Sequence, residues 1–220
     1  LSDISIIVAE GGDTVVTLRL LSALSKYNIA LIVCDNEHLP TGIYHSQNGH
    51  FRAYKKLQEQ LLWTQEQKDK LWQIVTYFKI NNQQDVLAMF EKNIDCIQLL
   101  ADYKDHIEYG DRTNREGHAA KVYFKALFGI DFIRDREEGD PINNALNYGY
   151  SIIRALMARA LAAKGLILSI GIKHHNIYNH FNLVDDCMEI YRPIIDDWVY
   201  SCIYVPEVLF SRDIKLNLIT

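Results

Sequence analysis

Past residue 140 the chain runs for a long way without a helix breaker. Asp140-Pro141 supplies a capping carboxylate and a first-turn proline, nothing interrupts the run before Lys164, and Gly165 supplies a stop. A helix over this stretch is about 36 Å long at ~1.5 Å per residue, roughly the diameter of a small domain. The spacing therefore predicts a helical body around residues 140–164.

The first fifty residues read differently. Ile4 to Val8 and Ile29 to Val33 are short β-rich runs, and Leu18, Leu21 and Leu24 between them have helical spacing. Strand, helix, strand fits one parallel crossover. Leu39-Pro40-Thr41-Gly42 is a turn signal and Ser46 to Gly49 is a polar break, which places a domain boundary there. From His50 onward the signals are helical. Leu57, Leu61 and Leu62 form one stripe. Thr64 and Gln67 form a capping box that opens a helix through Leu71, Trp72, Val75 and Phe78. Shorter helices are expected over 83–91 and 94–103, and another, carrying Pro193, over 182–203. The fold class is α+β: residues 1–49 as a partial N-terminal β-sheet domain, and residues 50–220 as a larger α-helical domain.

Apolar residues make up 49% of the chain, enough to bury a core, and no run reaches the length of a membrane span. There is no signal-peptide pattern, and the strand-like opening suggests that the true N-terminus lies further upstream. Cys34, Cys96, Cys187 and Cys202 lack zinc-finger or redox-pair spacing and read as reduced thiols of a cytoplasmic protein. The net charge is −5, but residues 112–173 carry ten Lys/Arg against six Asp/Glu, so an acidic chain has a basic middle. Such a patch is either a polyanion footprint or a solvated helix face.

The chemistry-bearing residues cluster after Gly171, in GIKHHNIYNHFNLVDDCMEIYRPIIDDW. Histidine nitrogen and carboxylate oxygen together hold divalent metals. In a helix over 182–203, Asp186 and Glu189 are neighbours on one face, with Asp196 extending the line. The alternative is an acidic, solvated helix face. His174 and His175 are adjacent on an extended segment and point to opposite sides, so at most one faces a given site. Glu116 either closes a Thr113 capping box or heads the apolar stripe of Ala120, Tyr123 and Leu127. On that stripe it needs a partner, a metal or an arginine. Two carboxylates and one imidazole suit Mg²⁺ or Mn²⁺ better than a structural zinc, and an open oxygen-rich site beside basic residues suits phosphodiester chemistry.

Three segments, NREGHAAKVYF, NNALNYGYSIIRALMARALAAKGL and GIKHHNIYNHFNLVDDCMEIYRPIID, resemble the CRISPR-associated spacer-acquisition integrase family, the larger subunit of the adaptation complex (Cas one). LSDISIIVAE and LLSALSKYNIALIVCD at the start fit as well, and the flavour is type II. Relative to that family the chain looks truncated at both ends.

The resemblance implies a metal-dependent DNA endonuclease and integrase. It would join the 3′-hydroxyl ends of short duplex prespacers into a CRISPR repeat array by transesterification. The family's catalytic and metal-binding triad falls on Glu116, His174 and Glu189, with Asp186 and His175 as supporting positions. Arg112, Arg115, Lys121, Arg154 and Arg159 are candidate phosphate contacts. The implied partners are double-stranded DNA, a second copy of the chain, the small second adaptation protein (Cas two) and other type II adaptation proteins. Two alternatives are a metal-dependent phosphodiester hydrolase and a non-catalytic helical scaffold.

Overall fold

The computed structural model describes residues 3–10, 12–36, 40–46, 52–135 and 140–202. The architecture is α+β: one small sheet near the N-terminus, then helices. Two compact units interleave along the chain, Leu1–Thr64 with Ser151–Met188 and Gln65–Tyr150 with Glu189–Thr220.

The first unit contains the sheet. Strands β1 (Ile6–Ala9) and β2 (Ala30–Cys34) are parallel, with Ile6 opposite Ala30, and helix α1 (Leu18–Lys26) forms the crossover. Thr17 caps α1 by accepting from the Leu20 amide, and Leu24, Ile29 and Leu31 form the core beneath it. Strand β3 (Pro40–Tyr44) runs antiparallel to β2, with an irregularity at Val33/Cys34. The sequence marked residues 39–42 as a turn. Instead Pro40 to Gly42 form an edge strand, where a proline at the first position removes no essential ladder bond. Leu39 and positions 47–49 of the expected polar break lie outside the described residues.

Helix α2 (Ala53–Leu61) follows. Its buried Gln60 treats the backbone of Ile167 as a strand partner would, donating to the carbonyl at 3.2 Å and accepting from the amide at 2.7 Å. Both ends of that side-chain amide are satisfied, so its burial costs little.

The second unit is built on α3 (Gln65–Met89), with α4 (Ile94–Asp105) and α5 (Arg115–Phe128) packed on it through Ile80, Leu87, Leu100, Tyr123 and Leu127. The separate helix expected over 83–91 is the second half of α3. The polar run Asn81-Asn82-Gln83-Gln84 contains no proline or glycine, so the helix continues through it. Its side chains are used for bridging: Asn82 Nδ2 donates to the Ile190 carbonyl at 2.8 Å.

Helix α6 (Pro141–Ala163) is the long rod that the sequence called for, and the unit boundary falls inside it. Asp140 Oδ1 accepts from the amides of Ile142 and Asn143, each at 2.9 Å. Gly165, at φ +77°, closes the other end as Leu166 donates back to the Leu161 carbonyl. The helix expected over 182–203 is not continuous. It divides into α7 (Asn182–Met188), a 3₁₀ turn (Glu189–Tyr191) and α8 (Arg192–Cys202). Pro193 sits in the first turn of α8, where its missing N–H costs nothing. The break therefore falls at Glu189, ahead of the proline. The four cysteines are free thiols.

Gly149 lets α6 approach α8 closely, because a β-carbon there would lie 2.4 Å from Ile195 Cγ2. Gly149→Ala is expected to lower stability by about 1–3 kcal/mol through overpacking. Ile195→Ala, which removes the methyl in the way, should make the double variant lose less than the sum of the two single losses, all read by urea unfolding.

Candidate active site

Helix α5 begins unusually. Asn114 adopts a left-handed conformation, φ 53°, and Thr113 does not form the capping box. The cap comes from the buried Asp111, whose carboxylate accepts from the amides of Arg115 at 2.7 Å and Glu116 at 3.0 Å. The first turn is satisfied by another residue, so the Glu116 side chain is available for a tertiary contact.

That contact is Lys79, on the buried face of α3. Lys79 Nζ donates to Glu116 Oε1 at 2.6 Å and to Glu189 Oε2 at 2.5 Å. The lysine is 8% exposed and Glu189 5% exposed. Arg192, one turn beyond Glu189, brings its Nε within 2.9 Å of Glu189 Oε1, although not aligned as a hydrogen bond. Two carboxylates and two cations thus form one largely dehydrated cluster. Burial pulls the Lys79 pKa down, but attraction to Glu189 and Glu116 outweighs it, so the net shift is upward and the ammonium stays charged.

A second polar group continues from the first. The Tyr150 hydroxyl donates to Asp196 Oδ1, and the guanidinium groups of Arg192 and Arg134 lie 4.6 and 5.3 Å from the Tyr150 ring centre. The Tyr123 hydroxyl also faces Asp196, without hydrogen-bond alignment. Burial pushes the Asp196 carboxyl up to about 6 from its ordinary 3.8, against the lowering effect of Tyr150 and Tyr123. Burial, then the neighbouring Asp196, push the Tyr150 phenol well above its usual range. Asp196 is therefore not part of a solvated acidic face.

In the first unit, Asp186 is 0% exposed and organises the loop before α7. It accepts from the amides of Ile172, Lys173 and His174 at 2.5, 3.0 and 3.1 Å, and from His174 Nδ1 at 2.7 Å. A carboxylate on Nδ1 sets the tautomer of a neutral imidazole, leaving the lone pair on Nε2, as in histidines that bind metals. Asp186 and Glu189 do not lie in one α-helix as expected: Asp186 is in α7 and Glu189 opens the 3₁₀ turn. The helix breaks between them, and each is committed to different partners. His175 is exposed on the same loop.

The candidate phosphate contacts fall into two groups. Arg112 and Lys121 are exposed, and the Arg115 guanidinium packs over the Tyr103 ring at 5.5 Å. Arg154 is bound to Asp185 at 2.7 and 2.8 Å, and Arg159 donates to the Asn28 carbonyl. Asp185 is thus a structural partner of Arg154.

Sequence reasoning paired Glu116 with a metal or an arginine and missed Lys79. A signal existed: Lys79 lies seven and four residues past Trp72 and Val75, on the same buried stripe. Asp111 carried no comparable signal.

Glu116 and Glu189 offer hard oxygen donors around a point already occupied by a cation, and His174 is oriented by a buried carboxylate. In kind these groups fit Mg²⁺ or Mn²⁺. Among the described residues, no three His, Cys, Asp or Glu side chains are gathered closely enough to hold a metal as they stand. No helix among them is long and apolar enough to cross a membrane.

The family model for CRISPR associated protein Cas1 matches residues 1–209. The chain is 37% identical over 196 residues to a CRISPR-associated endonuclease Cas1 of Neisseria meningitidis, covering 89% of this chain and 64% of that protein. A second Cas1 endonuclease, from Pyrobaculum aerophilum, is 28% identical over 204 residues, covering 87% of this chain and 68% of its own length. The chain thus spans 64% and 68% of the length of these two relatives. Two solved structures share the fold. A Cas1 protein from Thermotoga maritima has a TM-score of 0.68 at 18% identity, over 85% of this chain and 64% of that one. A casposase bound to an integration product has a TM-score of 0.67 at 22% identity, over 92% of this chain and 61% of that one.

Asp196 generates a prediction. Its folded pKa lies above its unfolded value, so its stabilising effect is complete below about pH 4 and is lost as pH rises through about 6. Over that window the wild type should lose on the order of 2–3 kcal/mol relative to Asp196→Asn, at about 1.4 kcal/mol per pH unit. Urea unfolding of both proteins from pH 4 to pH 7 checks this, and a constant difference would count against it.

Proposed function

Because this chain belongs to the CRISPR-associated Cas1 family, we propose that it is a metal-dependent DNA endonuclease and integrase of CRISPR adaptation. The 3′-hydroxyl of a short duplex DNA attacks a phosphodiester at the edge of a repeat. One ester bond forms, one breaks, and the departing 3′-oxygen takes up a proton. The exchange is between like bonds, so no nucleoside triphosphate is required. Relatives are named endonucleases, and fold neighbours include a casposase bound to an integration product and Cas1–Cas2 complexes. Those names support DNA as substrate and the second adaptation protein as partner. A homodimer and a cytoplasmic location complete the reading.

The observation that carries this proposal is the convergence of Glu116 and Glu189 on one buried cation position. With His174 they form the ligand set, and Mg²⁺ or Mn²⁺ bound there would stabilise charge developing on the attacked phosphate. Asp186 fixes the His174 ring and the loop that carries it. His175 is the reserve imidazole. Exposed Arg112 and Lys121, with Arg115, grip the DNA backbone, while Arg154 and Arg159 contribute only if they exchange their internal partners for phosphate. Residues 1–49 form the β-rich portion and 50–220 the catalytic portion.

The test is a joining assay with the protein, its small partner, Mn²⁺ or Mg²⁺, a labelled prespacer and a repeat-bearing plasmid. Glu116→Ala, His174→Ala and Glu189→Ala are each expected to lower joining by on the order of 10²-fold or more. Asp186→Asn should cost about 10–100-fold through loss of His174 orientation. Joining by Glu189→Ala at the wild-type rate would remove this site. Turnover of a small chromogenic phosphodiester without duplex DNA would favour the simple hydrolase.

A further inference from the structure

We propose that Lys79 is an internal cation that holds the Glu116–Glu189 pair together without metal and competes with the divalent ion for the same oxygens. The inference rests on the metal reading above and extends it to a residue outside the ligand set. Its basis is geometric. One ammonium nitrogen bonds Glu116 Oε1 at 2.6 Å and Glu189 Oε2 at 2.5 Å, so the two oxygens are at most about 5 Å apart. Two ionised carboxylates that close, Glu189 buried and Glu116 partly buried, repel strongly unless positive charge lies between them. Lys79 supplies that charge, and it reaches the spot from the interior of α3 on a flexible four-carbon stem.

A divalent ion bonded to the same two oxygens would sit about 2.0–2.2 Å from each, inside the space the ammonium occupies. The two cations exclude each other there by contact and by charge. Metal entry therefore requires the lysine to swing aside, and metal loss lets it return. Arg192 remains beside Glu189 in either case and keeps one positive charge on the pair. The carboxylate pair so held is preformed without metal, at the cost of weaker metal binding.

A purely structural ion pair makes a different prediction, and this allows a test that does not depend on DNA joining. Mn²⁺ affinity is measured by calorimetry, and thermal midpoints are recorded in chelator and in Mn²⁺. The proteins are wild type, Lys79→Met, Lys79→Gln and Glu189→Gln. The Lys79 variants are expected to melt lower than wild type in chelator, because the two carboxylates then face each other with less positive charge between them. They should bind Mn²⁺ at least about tenfold more tightly and gain more thermal stability from it than wild type does. If Glu189→Gln weakens Mn²⁺ binding but neither Lys79 variant binds more tightly than wild type, Lys79 is only structural and the inference is overturned. If Glu189→Gln leaves Mn²⁺ affinity unchanged, the metal reading fails and takes this inference with it. Should Lys79→Met not fold in chelator, Lys79→Gln carries the comparison.

Discussion

Two ionised carboxylates within reach of one nitrogen, Glu189 buried and Glu116 partly buried, repel each other unless a cation lies between them, and in this chain the cation is Lys79. Its ammonium links the middle of α3 to the first turn of α5 and to the 3₁₀ turn before α8. The three pieces are far apart in sequence, with Glu116 and Glu189 lying 37 and 110 positions from the lysine. Removing Lys79 leaves the two carboxylates facing each other with only Arg192 beside Glu189 to offset them, which is costly. The cluster therefore specifies one arrangement of these segments more than it adds net stability.

A second buried polar group of this unit extends from that cluster. Arg192 stands beside Glu189 and also covers the ring of Tyr150, whose hydroxyl is bonded to Asp196. Gly149, next to Tyr150, permits the close approach of α6 and α8 that this bond needs. Each buried charge in the series is compensated by its neighbour, so the groups behave as one network. Apolar packing through Ile80, Leu100 and Tyr123 closes the space beside it.

In the other unit the same rule is met by backbone. Asp186 is fully buried and takes three consecutive amides and one imidazole nitrogen. Those bonds hold the loop in register and fix the ring of His174. A buried carboxylate thus serves as a positioning element in both units, once against side-chain cations and once against amide hydrogens. An acidic sequence can conceal this economy, because an exposed aspartate and an organising one look alike in one dimension.

What local chemistry controls was legible in the sequence. Asp140, Pro141 and Gly165 delimited α6 because caps act within a turn. The parallel β1–α1–β2 crossover followed from two short apolar runs around a helical stripe. Glu116 was marked by its place at the head of the Tyr123 and Leu127 stripe, and the motifs around it pointed to the family. Other features needed partners distant along the chain. The helix expected to start at 83 is the second half of α3, and the Ile190 carbonyl that receives Asn82 is unknown to the local sequence. The turn signal at Pro40 lost to pairing with β2. The helix after residue 182 breaks at Glu189, where the side chain is drawn to Lys79. Most helical and extended segments and the candidate carboxylates could be picked out along the chain, since propensity, capping and periodicity are short-range. Which carboxylates share a cation could not, because burial and long-range ion pairing depend on where the chain returns in space.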